Sequence, residues 1–497
     1  MKSKLLNVFK VVVFSSIIAA CIFGAAAVVR RKDSSYKYAD FFQEAKKNNI
    51  DVLLMGSSHV INGINPLTLY EDYGYTSYNM AGHGSVMQST YWELIEALDY
   101  CSPKWVVVDA YMLEKNYQYL DVMEENAGKE DINTSVDQLH LNMDAWPLNK
   151  LKIAAVSDLI KDPSIRNEFL FDFIVYHSRW NELTEADYKA FSKETDRNRL
   201  FGAEMRYGVE LSPVVYPDPG PERCLDEHTV GQEYLMKIID ECQRRGIGIV
   251  VTYLPFCATT EDRIAANTAG VVAGMYDVPY LNMLDAGIIN LYTDLNDRGH
   301  LNAVGAKKVT EYLGRWLYEN ADLSDHRGEA GYEYYDKCAI QFDDENIKLS
   351  VSGDSLYDQL EMLSRNSVSS VIYLNQNSAI FGDDNLKELI ANISGTDKIW
   401  NTNGPYILIN DVESQRVYEA SDGEMLDGVE TGLGTLVYQP VEQLFRLLYA
   451  KENEEFNYLY DDEHAAFDIQ IITYDRNTGE VISHQYYRPY GHQYRTD

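Results

Sequence analysis

The first pattern in the chain is a run from Val11 to Val29 in which all 19 positions are apolar or small, bracketed by Lys10 and Arg30. A helix of that length reaches about 28 Å, enough for a bilayer core. An amphipathic lead over about 33–49 follows, and then the rhythm changes. Ile50-Asp51-Val52-Leu53-Leu54-Met55 reads as a short buried strand, and Trp105-Val106-Val107-Val108 as a second that stops at Asp109. Helical periodicity from Ser89 to Tyr100 lies between them, which makes a β-α-β unit. Further on, Val230 to Arg245 places Tyr234, Leu235, Ile238, Ile239 and Cys242 on one helical face, with Gly246 as its stop. Ile247–Leu254 is the next strand, Thr260–Met275 the next helix, Pro279–Met283 a short strand and Asn302–Tyr318 a closing helix. Strands alternating with helices predict an α/β fold, a three-layer α/β/α sandwich around a parallel sheet.

Two stretches break the alternation. Residues 112–228 form a long, mostly helical, Asn- and acid-rich insertion ending in Pro213, Pro217, Pro219 and Pro221. Insertions at strand carboxyl ends usually build lids or substrate walls. From about 326, hydrophobic runs at Ser369–Leu374, Tyr406–Asn410 and Phe467–Thr473 alternate with turns such as Asn477-Thr478-Gly479. That pattern predicts a separate, smaller α+β domain whose motifs name no chemistry. The predicted organisation is an N-terminal segment at 1–32, an α/β domain at 33–325 carrying the insertion, and a C-terminal α+β domain at 326–497.

Charge changes the picture. The 497 residues carry 43 basic and 77 acidic side chains, a net −34, and no acidic residue lies in the first 32 positions, which hold six of the basic ones. So acidic a body repels nucleic acid at long range, and nucleic-acid binding is excluded. The apolar run is too long for an ordinary signal peptide. Ala25-Ala26-Ala27 offers a cleavage site and Ile18-Ala19-Ala20-Cys21 a lipobox, but eight more apolar or small residues follow Cys21. A single uncleaved anchor, with the acidic body outside the cytoplasm at the cell membrane, is the favoured reading. Beyond Cys21 the cysteines are 101, 224, 242, 257 and 338, an odd number without a C-x-x-C pair, so neither a disulfide framework nor a zinc site is expected. No cofactor is expected: the chain shows no P-loop, dinucleotide fingerprint or zinc-ligand spacing.

Candidate chemistry sits at both ends of the α/β domain. Gly56-Ser57-Ser58-His59 follows the first buried strand directly, which puts a serine on the functional edge of the sheet. A serine hydroxyl needs a base to act as nucleophile. Asp297 and His300, three apart just before the last helix, supply one: the carboxylate can hold Nδ1–H and leave Nε2 as the basic nitrogen. Taken singly, Gly-Ser-Ser is a common turn and Asp-x-x-His a common helix cap. Their occurrence at opposite ends of one parallel-sheet domain is what gives the pair weight. Asp294, six residues from His300, is the poorer partner. Tyr176-His177-Ser178-Arg179-Trp180 combines aromatics with a cation, either a sugar-facing patch or an ordinary amphipathic segment.

Gly56-Ser57-Ser58 resembles the first sequence block of the SGNH (GDSL-type) hydrolases, with Ser57 where Asp is usual, and Asp297-Arg298-Gly299-His300-Leu301-Asn302 resembles their last block. Tyr78-Asn79-Met80-Ala81-Gly82 resembles the second. The resemblance covers roughly 48–320, apart from most of the insertion. It implies a flavodoxin-like sheet, Ser58 as nucleophile, His300 as general base and Asp297 as its orienter. It also implies oxyanion donors at the Ser58 and Gly82 N–H groups. Beside it, the residues themselves offer candidate substrate contacts at His59, Asn79, His83 and Asp109 and, in the insertion, at His177 and Arg179. The family's third block should bring an asparagine donor, yet this chain reads Val108-Asp109-Ala110-Tyr111 there. Losing one oxyanion donor typically costs about 2.7–4 kcal/mol in the transition state.

The Gly-Ser-Ser-His start and the N-terminal run are most similar to the extracytoplasmic branch, which includes the teichoic-acid D-alanyl transfer protein and the alginate O-acetylation proteins. The resemblance therefore implies a serine esterase or O-acyltransferase acting on acyl esters of an extracellular glycan or wall polymer, beside a membrane-bound O-acyltransferase. The alternative is a catalytically weak or inactive binding and assembly protein that keeps the fold. The missing third-block asparagine favours that alternative, and the intact Ser58, Asp297 and His300 set opposes it.

Overall fold

The computed structural model describes residues 2–30, 36–47, 49–114, 129–160, 162–171, 173–189, 199–209, 216–291, 293–353, 355–364, 368–376, 378–441, 444–451, 454–457, 467–475, 478–490 and 493–495. Of the positions read above, Arg31, Lys32, Pro213 and Asn477 lie outside them. The chain divides into two compact units, one of residues 1–205, 215–289 and 306–339, the other of 206–214, 290–305 and 340–497.

The first unit opens with α1 (Lys2–Val29), the only helix among the described residues long and apolar enough to cross a membrane, and α2 (Tyr36–Ala45). Its sheet then builds through β1 (Val52–Met55), α3 (Ser58–Gly63), α4 (Pro66–Tyr73), β2 (Ser77–Asn79), α5 (Met87–Leu98) and β3 (Trp105–Asp109). The insertion contributes α6 (Lys129–Met143), α7 (Lys150–Leu159), α8 (Pro163–Leu170), α9 (Phe173–Tyr176), a 3-10 turn (His177–Asn181) and α10 (Glu185–Lys189). The alternation resumes with α11 (Val230–Arg245), β4 (Gly248–Tyr253), α12 (Thr260–Met275), β5 (Tyr280–Asn282) and most of α13 (Ala303–Asn320).

All five strands are parallel, in the order β2-β1-β3-β4-β5, with Val52 opposite Ser77 on one side and Trp105 on the other. The α/β reading of the hydrophobic pattern therefore holds. Every residue of β1 and nearly every one of β3 and β4 is buried, which requires cover on both faces of the sheet. The helices are sharply delimited: Thr229 caps α11 by accepting the Gln232 N–H, and Thr259 and Asp262 form a capping box on α12. The edge strand β2 was not apparent in the pattern.

The second unit is a separate antiparallel region. It holds most of α14 (Glu333–Ser352), then α15 (Leu356–Ser364), β6 (Ser369–Leu374), α16 (Asp384–Ser394), β7 (Tyr406–Asp411) and β8 (Arg416–Ser421). These are followed by β9 (Leu426–Thr431), β10 (Gly434–Val441), β11 (Leu444–Lys451), β12 (Glu454–Asn457), β13 (Ile469–Tyr474), β14 (Val481–Tyr490) and β15 (Gln493–Arg495). One sheet runs β15-β14-β13-β6-β7-β8, the other β12-β11-β10-β9. Period-two alternation explains the layering. Ile372, Leu374 and Leu408 pack with Leu360, Leu363 and Ile390 of α15 and α16, while Val371, Tyr373 and Ile409 face Leu436 and Tyr438 of the four-stranded sheet.

Candidate active site

The carboxyl edge of the parallel sheet shapes the serine turn. Gly56 leaves β1 with φ +148°, and a Cβ there would lie 2.7 Å from the Val60 side chain and 3.1 Å from Asp109 Cβ, so a residue without a side chain is needed. Ser57 is buried and caps α3, its hydroxyl accepting the His59 N–H at 3.3 Å. Ser58, the first residue of α3, is half-buried. Ser57 therefore serves as the cap of α3.

His59 is buried, stacked on Tyr111 at 3.7 Å between ring centroids and edge-on to Phe256 at 4.6 Å. Asn79 is fully buried: Nδ2 donates to the Val60 and Ile64 carbonyls at 2.8 and 3.1 Å, and Oδ1 accepts the Ala81 N–H. Its amide ties α3 to the loop after β2. The Gly82 N–H donates to the Gly56 carbonyl at 3.0 Å, so it joins the β2–α5 loop to the serine turn. His83 is clamped through its backbone by Asn142, whose Oδ1 accepts its N–H at 2.8 Å and whose Nδ2 donates to its carbonyl at 2.9 Å. Behind this loop lies a buried polar network that motif reading did not find. Glu93 accepts from Ser85 and Ser89, and Lys37 Nζ donates to the Ala81 carbonyl. Burial, against the attraction of Glu93 and Glu204, brings Lys37 down to about 8.

Asp109, where the third-block asparagine is expected, ends β3 fully buried. Oδ1 accepts the Leu254 N–H at 2.9 Å and the Thr252 hydroxyl at 3.3 Å, and Oδ2 accepts the Tyr111 N–H at 3.4 Å. Burial pushes its carboxyl up to about 7 in spite of those three bonds. The folded-state pKa is thus raised above the value of an exposed aspartate, about 3.9. The group costs nothing below that value, and its penalty grows as the pH rises through the interval between the two. Stability of the wild type should therefore fall relative to Asp109→Asn between pH 5 and pH 8, by roughly 2–4 kcal/mol. Paired thermal melts across that range test it, and a constant difference would rule out titration of Asp109.

The histidine belongs to the second unit. A bridge between Leu295 and Leu301 and the Asn296 N–H donated to the His300 carbonyl at 2.9 Å close the 295–301 segment into a tight turn. His300 Nδ1 then lies 2.8 and 2.9 Å from the two oxygens of Asp297, as the spacing predicts. Partial burial pushes Asp297 up, but the Gly299 N–H at 2.8 Å, the His300 ring and Arg206 outweigh it and hold the carboxyl below its usual range. Arg206 was not foreseen. Its Nη1 donates to Asp297 Oδ2 at 2.6 Å and lies 3.3 Å from His300 Nδ1.

Arg206 is carried on a laced strap. The Arg206 carbonyl accepts the Ala303 N–H at 2.7 Å, the Tyr207 carbonyl the Asn296 amide at 3.1 Å, and the Gly208 carbonyl the Asn302 amide at 3.1 Å. Asp358 of α15 accepts the Gly208 N–H at 2.8 Å and the Asn302 amide at 3.2 Å. The C-terminal region thereby supports the segment that carries Asp297 and His300. No local signal marks Arg206 or Asp358, which lie 91 residues from Asp297 and 150 from Gly208.

His177 and Arg179 are placed beside α1. Arg179 Nη1 donates to the Val29 carbonyl at 2.7 Å, and His177 Nδ1 lies 2.8 Å from the Ile174 carbonyl. Asp294 is buried and accepts the Asn290 N–H at 2.7 Å and the Thr293 hydroxyl at 2.9 Å. Among the described residues no group of three His, Cys, Asp or Glu side chains could hold a metal ion.

No protein-family model and no curated protein sequence matches the chain. Among solved structures, the chain is similar to a Bacteroides fragilis protein provisionally described as an acylhydrolase, with 12% identity, TM-score 0.29, and coverage of 58% of this chain and 99% of that one. It is also similar to a GDSL-like lipase from Bacteroides thetaiotaomicron, with 11% identity, TM-score 0.27, and coverage of 57% and 98%. Both likenesses are distant, and the α/β description rests on the five-stranded sheet itself.

Proposed function

We propose that this chain is a serine esterase or O-acyltransferase of SGNH type, anchored by α1 with its body outside the cytoplasm. The observation that carries the reading is the built Asp297–His300 pair. A carboxylate fixed on Nδ1 directs that proton to itself and makes Nε2 the basic nitrogen. In this reading His300 Nε2 takes the Ser58 hydroxyl proton while Oγ bonds to the acyl carbonyl carbon. The tetrahedral oxyanion is met by the Ser58 N–H at the start of α3. On collapse the ester C–O bond breaks and His300 returns the proton to the leaving alcohol. Water or a sugar hydroxyl, deprotonated by the same base, then releases the acyl group from Ser58. The resemblance of the first and last blocks supports acyl esters of a surface glycan or wall polymer as substrate, and a membrane-bound O-acyltransferase as neighbour.

A second reading draws on Gly82 and Asp109. With the Gly82 N–H given to Gly56 and a buried aspartate in place of an asparagine donor, oxyanion stabilisation is thin, which favours a binding or assembly role. Intact-mass labelling of the full chain in detergent with a fluorophosphonate separates the two. One equivalent on the wild type, absent from Ser58→Ala and His300→Ala, is the expected result. Folded wild type that takes up no label would leave only the binding role standing.

A further inference from the structure

The insertion forms a collar around the end of α1. Residues 6–25, twenty in succession, are exposed along that helix, and at 1.5 Å per residue they measure about 30 Å, the thickness of a bilayer hydrocarbon core. The final turn differs: Ala26 and Val29 are 6% and 5% exposed. They are covered because α1 packs there against α9, the 3-10 turn and α10. The last carbonyls of a helix have no partner within it. Here Arg179 takes the Val29 carbonyl, and is itself held by Asp187 at 3.5 Å, with Asp187 also accepting the Thr184 N–H at 2.9 Å. The contact is thus built from a donor, a carboxylate and a cap, and it begins where one hydrocarbon thickness of exposed helix ends.

The elements packed on the end of α1, with the residue that closes α8, expose large apolar and aromatic side chains. Phe171 is 53% exposed, Ile174 53%, Trp180 71% and Tyr188 58%. Left in water, such a group around one helix end is an association surface. Trp and Tyr, with apolar bodies and polar tips, are enriched at the boundary between hydrocarbon and water. We infer that the collar, from Phe171 at the end of α8 through α10, is seated in the interfacial layer of the bilayer that α1 crosses, with Phe171, Ile174, Trp180 and Tyr188 in contact with lipid. This rests on the anchored reading of α1. It makes the first unit a membrane-apposed body, not one swinging on a tether, and it gives the insertion a function at the lipid surface.

The test uses the full-length chain in phosphatidylethanolamine and phosphatidylglycerol nanodiscs. Nitroxides are placed at Ile174→Cys, at Trp180→Cys and, as an exposed control, at Met275→Cys on α12, in a Cys21→Ser, Cys224→Ser background; Met275 is 72% exposed. Collision with oxygen relative to a water-soluble nickel chelate reports depth. In parallel, native Cys21 is challenged with an aqueous maleimide. The expected result is a ratio at 174 and 180 several-fold above that at 275, with Cys21 protected. Protected Cys21 with 174 and 180 as wet as 275 overturns the collar while keeping the anchor. Reactive Cys21, or a chain lacking α1 by mass, overturns both. Probes that are wet in nanodiscs but shielded in native membranes would assign the surface to a protein partner and overturn the lipid seat.

Discussion

Asp297→Asn should slow covalent capture of Ser58 by about 10,000-fold near neutral pH, with little change in the fold. Both carboxylate oxygens have assigned donors besides the imidazole: Oδ1 accepts the Gly299 N–H at 2.8 Å and Oδ2 accepts Arg206 Nη1 at 2.6 Å. An asparagine offers one oxygen, so its NH2 must face either a backbone N–H or a guanidinium. If the oxygen stays on Gly299, the amide nitrogen turns toward Arg206 and His300 Nδ1. The imidazole then satisfies that N–H with an unprotonated Nδ1 and carries its proton on Nε2, the nitrogen that must accept the serine proton. The base is in the wrong tautomer although every atom is nearly in place. The measurement is the second-order rate of fluorophosphonate labelling, with the thermal midpoint as control. A loss of under tenfold in folded protein would mean that Asp297 is a structural cap and not the orienter of a base.

Arg206→Gln tests the same site from the other side. A cation 3.3 Å from Nδ1 disfavours imidazolium, so its removal raises the His300 pKa and keeps the base protonated to higher pH. Arg206 is 38% exposed, so solvent moderates the effect. The acid limb of the labelling rate should move to higher pH, and Arg206→Lys should restore it. An unmoved limb would reduce Arg206 to a structural strut.

How much of this was legible in the sequence follows from where the determining contacts lie. The central strands were readable because Val52–Met55 and Trp105–Asp109 are buried on both faces and so run as unbroken apolar stretches. The apolar face from Tyr234 to Cys242 and the stop residue Gly246 made α11 readable, whereas its cap, Thr229, is seen only in the structure. By contrast, β2 is Ser77-Tyr78-Asn79, too short for a period, and is made a strand by pairing with β1. Asp297 and His300 were found because three residues of separation close into one turn, whereas Arg206 reaches them along an irregular strap whose hydrogen bonds are all tertiary. Gly82 shows a subtler limit. A motif can place a glycine beside a site, but only the path of the loop decides which N–H groups are already spent.

That loop carries the largest expected stability effect. Gly82→Ala should cost about 3–5 kcal/mol, combining an overpacked core with broken buried hydrogen bonds. A Cβ at Gly82 would lie 2.1 Å from Ser85 Oγ, 2.3 Å from Glu93 Oε1 and 2.7 Å from Asn142 Nδ2. These atoms bond one another, Ser85 Oγ to Glu93 at 2.9 Å and Asn142 to Ser85 at 3.2 Å, so none can retreat without leaving a buried partner unmatched. The Gly82 N–H is also the tie to the Gly56 carbonyl, so the strain is delivered to the serine turn. Gly84→Ala is the internal comparison. Gly84 has φ +58°, and its added methyl meets the far end of the Gln138 side chain at 2.3 Å. A long side chain can swing aside, which leaves mainly the left-handed backbone penalty of about 1–2 kcal/mol. Thermal melts should therefore rank Gly82→Ala well below Gly84→Ala, the former down on the order of 8–15 °C. Equal melting points would mean that the network behind the loop is soft enough to open, and a loop that opens could release the Gly82 N–H from Gly56 to a ligand.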